Sequence, residues 1–205
     1  MDWVVEQHRG RAAHLHALEL PDPVLRTVRL LEVTEPALVL GSTQAAFASD
    51  AIDVVRRRSG GGAVLVEPER VAWLDVVVPR GDPRWDDDVA RAFWWLGDAW
   101  AGAIGDLGIT DLEVHRGPLV RTALSDLVCF AGLGPGEVTR HGAKVLGMAQ
   151  RRTRGGALFQ CAVPLAWDPG RMGGLLGLDD LAIDVLALEG RTPREVADAL
   201  LAHLP

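Results

Sequence analysis

The chain has 205 residues, 48% of them hydrophobic and 24% charged, which suits a globular protein with a single domain over residues 1–205. No apolar run approaches the ~18 residues a membrane-spanning helix needs, and the opening residues lack the basic-then-apolar pattern of a secretory signal. A net charge of −7 weighs against a general nucleic-acid binder, and two cysteines, Cys129 and Cys161, make no disulfide framework, so a reducing cytoplasm is the expected setting.

In chain order, "VLRTVRLLEV" (24–33) and "PALVLGS" (36–42) read as strands, and a short helix is expected over Gln44 to Ser49. "IDVVRRR" and "AVLVEPERVAWLDVVVP" are β-branched and apolar, so strands are expected on both sides of Gly60, Gly61 and Gly62. The strongest helical pattern runs from Asp86 to Leu107, with Asp86, Asp87 and Asp88 suited to its N-terminal end and Val89, Phe93, Leu96 and Trp100 on one face. "LEVHRG" and "SDLVCFAG" read as strands. "HGAKVLGMAQRR" and "GALFQCAVPL" read as a strand and its return, with a hairpin tip near Gly142. A last helix is expected over Pro193 to His203, burying Val196, Ala199, Leu200 and Leu204. Strands in runs with irregularly interposed helices predict an α+β fold with a bent, mainly antiparallel sheet flanked by helices.

Two segments carry chemistry. "RRRSGGGAV" places Arg56, Arg57 and Arg58 beside three glycines between strands. Consecutive glycines lose much chain entropy on folding and are kept where backbone takes positive φ or approaches something closely. Amides of such a loop can face an anion. The loop is neither a P-loop nor a dinucleotide fingerprint, because the required spacings are missing. A tight, solvated β-connection is the plainer alternative. The second segment, "AKVLGMAQRRTR", puts Lys144 in an apolar strand, followed by Gly147, Ala149 and Arg151. Alternation would set Lys144, Leu146 and Met148 on one face, and an ammonium beside apolar surface needs a partner, which a ligand carbonyl or phosphate could supply. Arg151 falls on the other face unless a bulge or strand end re-aims it. The histidines His8, His14, His16, His115, His141 and His203 show no metal-ligand spacing, and "HLH" at 14–16 reads as a surface or terminal feature. No metal site is expected.

Together, "PALVLGSTQ", "RRRSGGGAV", "VAWLDVVVP" and "KVLGMAQRR" resemble the lipoate–protein ligase and octanoyltransferase family, related to biotin–protein ligases, from about Pro36 to Ala162. The resemblance implies that family's α+β catalytic domain. It implies a ligase that uses ATP and Mg²⁺ to form an acyl-adenylate of lipoate or octanoate and passes the acyl group to a lysine of a lipoyl carrier domain. In that reading Arg57, Ser59, Gly60, Gly61, Gly62 and Ala63 sit at the adenylate or acyl pocket. Lys144 contacts the acyl carbonyl and phosphate, and Gly147, Ala149 and Arg151 help hold the pocket. No C-terminal accessory domain of the kind many ligases carry is expected within residues 1–205, and a separate subunit can supply one.

The alternative within the family is an ATP-independent transferase that takes octanoyl from acyl carrier protein through a cysteine thioester. Its Cys-Phe pair is matched by Cys129-Phe130, fifteen residues before Lys144, and Lys144 is the expected activator of the thiol. Two departures stand against a standard member. Val66-Glu67 occupies the place of a His-Asp pair, and Phe159-Gln160 the place of a His-Gly. A binding paralogue without catalysis is the third reading. Cys161 is expected in the core, and the chain lacks the basic glycine loop of biotin ligases.

Overall fold

A computed structural model describes residues 3–205; Met1 and Asp2, the first residues of the expected domain, lie outside the described residues. The strands are β1 (Val4–Gly10), β2 (Thr27–Val33), β3 (Ala37–Leu40), β4 (Asp53–Arg56), β5 (Val64–Val66), β6 (Val71–Pro79), β7 (Leu112–Val114), β8 (Val138–Arg140), β9 (Ala143–Arg152) and β10 (Gly156–Pro164). The helices are α1 (Ala12–Ala17), α2 (Trp94–Asp106), α3 (Pro169–Leu176) and α4 (Pro193–His203). None of them is long and apolar enough to cross a membrane.

Seven strands form one sheet in the order β1-β2-β6-β10-β9-β8-β7, and β4-β3-β5 form a second. Among the described strands, the β1–β2 and β3–β4 pairs are parallel and the other pairs antiparallel. The α+β expectation holds, with antiparallel pairing dominant.

Strand β6, buried from Val71 to Val78, shows how the layers divide. Ala72, Leu74, Val76 and Val78 join Phe159, Cys161 and Val163 of β10 in a core with Leu96, Trp100, Ile104, Val196 and Leu200 of α2 and α4. The alternate residues face the other way. Val71 and Trp73 pack with Leu15 of α1 and with Val39, Val55 and Val66 of the small sheet. A third core, around Leu38, Leu40, Val128 and Phe130, continues this side. The site lies between the large sheet and the small one.

Several expected elements differ. No helix forms over 44–49: Arg56 Nη1 and Nη2 bind the carbonyls of Gln44 and Ala45 at 2.8 and 3.2 Å, taking acceptors a helix would need. The long helix starts at Trp94, after a 3₁₀ turn at Arg91–Phe93. Asp86 and Asp88 bind the nearby N–H groups of Asp88, Ala90 and Arg91, so these carboxylates stabilise turns ahead of the helix. Val89 is accordingly exposed. "SDLVCFAG" is not a strand but a chain turn ending in a 3₁₀ segment, Cys129–Ala131. In β9, Val145 is an extra residue between the Thr139–Lys144 and Val138–Leu146 pairs. This bulge puts both Val145 and Leu146 into the core and breaks the alternation expected for Lys144, Leu146 and Met148.

Candidate active site

The glycine loop is zipped onto the segment that carries Cys129. Ala63 N–H donates to Leu127 O at 2.8 Å, and Cys129 N–H donates to Ala63 O at 3.0 Å. Gly62 permits this approach: a methyl there would lie 2.6 Å from Cys129 N and 2.8 Å from Val128 N. Gly61 has φ +99°, a conformation L side chains rarely adopt. Gly60 has open space around it. Among the described residues, no acceptor engages the N–H groups of Gly60, Gly61 or Gly62, and all three line an open cleft. They form a row of free donors.

Arg57 is buried beneath this loop. Its guanidinium donates to Gly60 O at 2.7 Å, Gly62 O at 2.9 Å and Val39 O at 3.3 Å. Burial lowers its pKa, and the neighbouring Cys129 side chain opposes that shift. The cation beside the thiol is therefore Arg57. Lys144 instead donates to the carbonyls of Cys129 and Gly132, at 2.9 and 2.8 Å, and to Glu137 Oε2 at 2.7 Å. The partner expected from a ligand is supplied by the protein itself.

Inside the loop, a narrow apolar cavity of about 50 Å³ runs between the two sheets, lined by Val39, Val64, Val66, Trp73, Phe130 and Met148 among others. Cys129 lines both this cavity and the outer cleft. Gly147, Ala149 and Arg57 also line the cavity. Ser59 stands behind it, its hydroxyl donating to Gln160 Oε1 at 2.7 Å. Arg151 lines neither space; its Nη1 is 3.7 Å from Glu19 Oε2, and Glu19 also holds Arg58. Cys161 is fully buried on the helix side of its strand, and burial pushes its thiol pKa up.

The two departures from the family pattern meet here, since Val66 and Gln160 both line the cavity. The cavity's histidine comes from α1. His16, expected at the surface, stacks on Trp73 with ring centroids 4.3 Å apart, and its Nδ1 lies 3.2 Å from Gln160 Nε2. Burial, then the charge of Arg57, holds its pKa down to about 3, so the ring is neutral and Nδ1 accepts from the amide. Asp75, paired with both Gln160 and Arg29 across the sheet, is fully buried and accepts from Trp73 Nε1 at 2.9 Å. Burial pushes its pKa up to about 7, against the pull of Trp73, Arg29 and Gln160.

Asp75 and Glu137 carry no motif in the sequence, Gln160 stands out only as a departure from the family pattern, and His16 only within "HLH". For Glu137 a local signal is present. A hairpin turning near Gly142 brings it across from the strand of Lys144 and Met148.

Among the described residues, the cations around the loop have partners within the protein. Arg57 and Lys144 are saturated as above, Arg56 holds backbone carbonyls, and Arg121 pairs with Asp126 at 2.6 Å. Among the described residues, no group of three or more His, Cys, Asp or Glu could hold a metal ion.

A cleft of free amides beside an arginine thus meets an apolar cavity at the Cys129 thiol. Residues 12–188 match the model of the lipoyl protein ligase A/B catalytic domain, and the chain belongs to that family. Among curated relatives it is similar to the octanoyltransferase LipM of Clostridioides difficile, 26% identical over 117 residues, covering 57% of this chain and 42% of the relative. It is also similar to LipM of an Exiguobacterium species, 27% identical over 154 residues, covering 73% and 51%. The chain thus spans about half the length of the curated relatives it matches.

Among solved structures, a T. acidophilum protein with bound lipoic acid superposes with a TM-score of 0.74 at 16% identity, covering 99% of this chain and 84% of that one. Lipoate-protein ligase A bound with ATP gives 0.71 at 17%, with the same coverage. At such identities the likeness shows the fold.

Proposed function

We propose that this chain is an acyltransferase of protein lipoylation. It carries an octanoyl or lipoyl group on Cys129 and passes it, without ATP, to a lysine of a lipoyl carrier domain. The observation that carries this reading is the position of Cys129, whose side chain faces the apolar cavity and the open cleft at once, with Arg57 against it. The names of the curated relatives support it.

In the first step the Cys129 sulfur attacks the carbonyl carbon of an octanoyl thioester on acyl carrier protein. A new C–S bond forms, the carrier's C–S bond breaks, and the carrier thiolate takes up the proton given up by Cys129. Positive charge beside the thiol stabilises the attacking thiolate, and the free Gly60 to Gly62 amides are the donors available for the oxyanion. The acyl tail lies in the apolar cavity, where each buried CH₂ contributes about 0.8 kcal/mol. In the second step the neutral amine of a carrier-domain lysine attacks the Cys129 thioester. The C–N bond forms, the C–S bond breaks, and a proton from the amine returns to the cysteine sulfur. Both steps run in the cytoplasm in this reading.

The ligase reading draws support from the glycine loop and from the fold shared with an ATP-bound ligase. The engaged arginines and lysine weigh against it. One experiment separates the two. Mass spectrometry should find an octanoyl group on Cys129 after incubation with octanoyl-acyl carrier protein, and on the lipoyl domain once that is added. Modification of the lipoyl domain only with lipoate and ATP, unaffected by Cys129→Ala, would establish the ligase. No modification under either condition leaves the binding paralogue.

A further inference from the structure

We propose that Glu137 is a positioning residue of this site, the anchor of a buried tether that runs through Lys144 to the turn carrying Cys129. The assignment rests on Cys129 as the acyl carrier. The Glu137 and Lys144 side chains are each 4% exposed, with Nζ and Oε2 2.7 Å apart.

The carboxylate is fixed from two elements. Oε1 accepts from Met148 N–H of β9 at 2.8 Å, and Oε2 accepts from Gly134 N–H of the preceding turn at 2.6 Å. The ammonium is fixed as tightly. An ammonium has three donors, and here they meet Glu137, Cys129 O and Gly132 O. Phe130, between those two carbonyls in sequence, lays its ring centroid 5.3 Å from Nζ. No Lys144 donor is left for an acyl carbonyl.

The consequence falls on Cys129. Its N–H is held by Ala63 O and its C=O by Lys144, so both flanking peptide groups are fixed and the thiol alone is left to react. Lys144 then acts through the backbone of Cys129, and Glu137 acts through Lys144.

Removing one partner of a buried ion pair leaves an uncompensated charge that endangers the fold, whereas replacing both with neutral groups of similar size is often tolerated. The test is therefore Glu137→Gln combined with Lys144→Met, which keeps an acceptor for Met148 N–H and removes the grip on the Cys129 carbonyl. The double variant should melt within a few degrees of the unaltered protein. Iodoacetamide should still alkylate Cys129 at close to the original rate, since the thiol stays accessible. The kcat for acyl-enzyme formation from octanoyl-acyl carrier protein should fall by about tenfold or more, KM staying nearly constant, because misplacing a reacting group by about 1 Å can cost 10²-fold.

An unchanged kcat, or a loss confined to KM, in the folded variant overturns the tether alone. Absence of any acyl-enzyme on the unaltered protein overturns the transferase reading and the tether with it. Should the double variant fail to fold, Glu137→Asp carries the test. It keeps the charge but draws it back by one methylene, and a kcat equal to the original overturns the proposal.

Discussion

The Arg57 guanidinium bonds the carbonyls of Gly60 and Gly62 and sets its charge near the Cys129 side chain, so one buried cation serves both the glycine loop and the thiol. Lys144, the cation that the sequence motif offers for that role, reaches the Cys129 carbonyl instead. The two cations divide the work: Arg57 supplies charge at sulfur, and Lys144 fixes the peptide behind it.

Arg57→Gln should then separate charge from geometry. Losing the cation should slow alkylation of Cys129 by a modest factor. Octanoyl transfer should fall further, by about 10–10²-fold, because the carbonyls of Gly60, Gly62 and Val39 have lost their donor as well. Cys161 is fully buried, so alkylation of the folded protein reports Cys129 alone. Equal losses of alkylation and of transfer would show that Arg57 contributes charge only.

The three glycines should differ sharply. Gly62→Ala drives a methyl into the backbone of Val128 and Cys129 and should cost about 1–3 kcal/mol of stability together with transfer activity. Gly60→Ala meets nothing within 4 Å and should change stability by no more than about 0.5 kcal/mol. Denaturant melts of the two variants decide this, and equal effects would refute the close packing of the loop on the cysteine segment.

Which parts of this site the sequence discloses follows from the range of the forces involved. The loop glycines and the last helix are legible because turn chemistry, capping and periodicity act over a few residues; Thr192 and Glu195, for instance, form a reciprocal cap at the start of α4. Cys129 and the role of Lys144 come instead from the family resemblance. The helix expected over 44–49 fails for a non-local reason, since Arg56 captures its carbonyls. His16 is illegible for the same kind of reason. Nothing beside it in the chain says that Trp73 and Gln160, 57 and 144 residues away, will enclose it. The strict alternation expected around Lys144 is undone by one extra residue, Val145.

Ser59 and Gln160 tie the loop to the cavity floor through a 2.7 Å bond. Ser59→Ala should cost about 1 kcal/mol and loosen the loop. Gln160→Leu removes the acceptor and the donor to His16 together. A double-mutant cycle should give a coupling of about 0.5–3 kcal/mol, as for residues in one network. Strict additivity of the two single changes would mean that the bond contributes nothing to holding the loop.

His16 gives the site a pH signature. Its pKa of about 3 in the folded protein lies below the ordinary 6.5, with burial the main cause and the Arg57 charge the second. Between these values the unfolded chain binds a proton that the folded chain does not, so the contribution of neutral His16 is complete above pH 6.5 and is lost as the pH falls toward 3. Asp75, raised to about 7, acts in the opposite sense: its contribution is complete below 3.8 and is lost as the pH rises through 7. His16→Phe keeps a ring against Trp73 and removes only the histidine term, while the Asp75 term stays in both proteins and cancels in their difference. The stability advantage of the unaltered protein over His16→Phe should therefore shrink on acidification, by at most about 1.4 kcal/mol per pH unit below 6.5. Urea melts of both proteins at pH 7.5 and 5.5 measure it. A difference that does not change between those pH values would mean that His16 is not held neutral in the folded protein, and that its ring nitrogen is not the acceptor for Gln160.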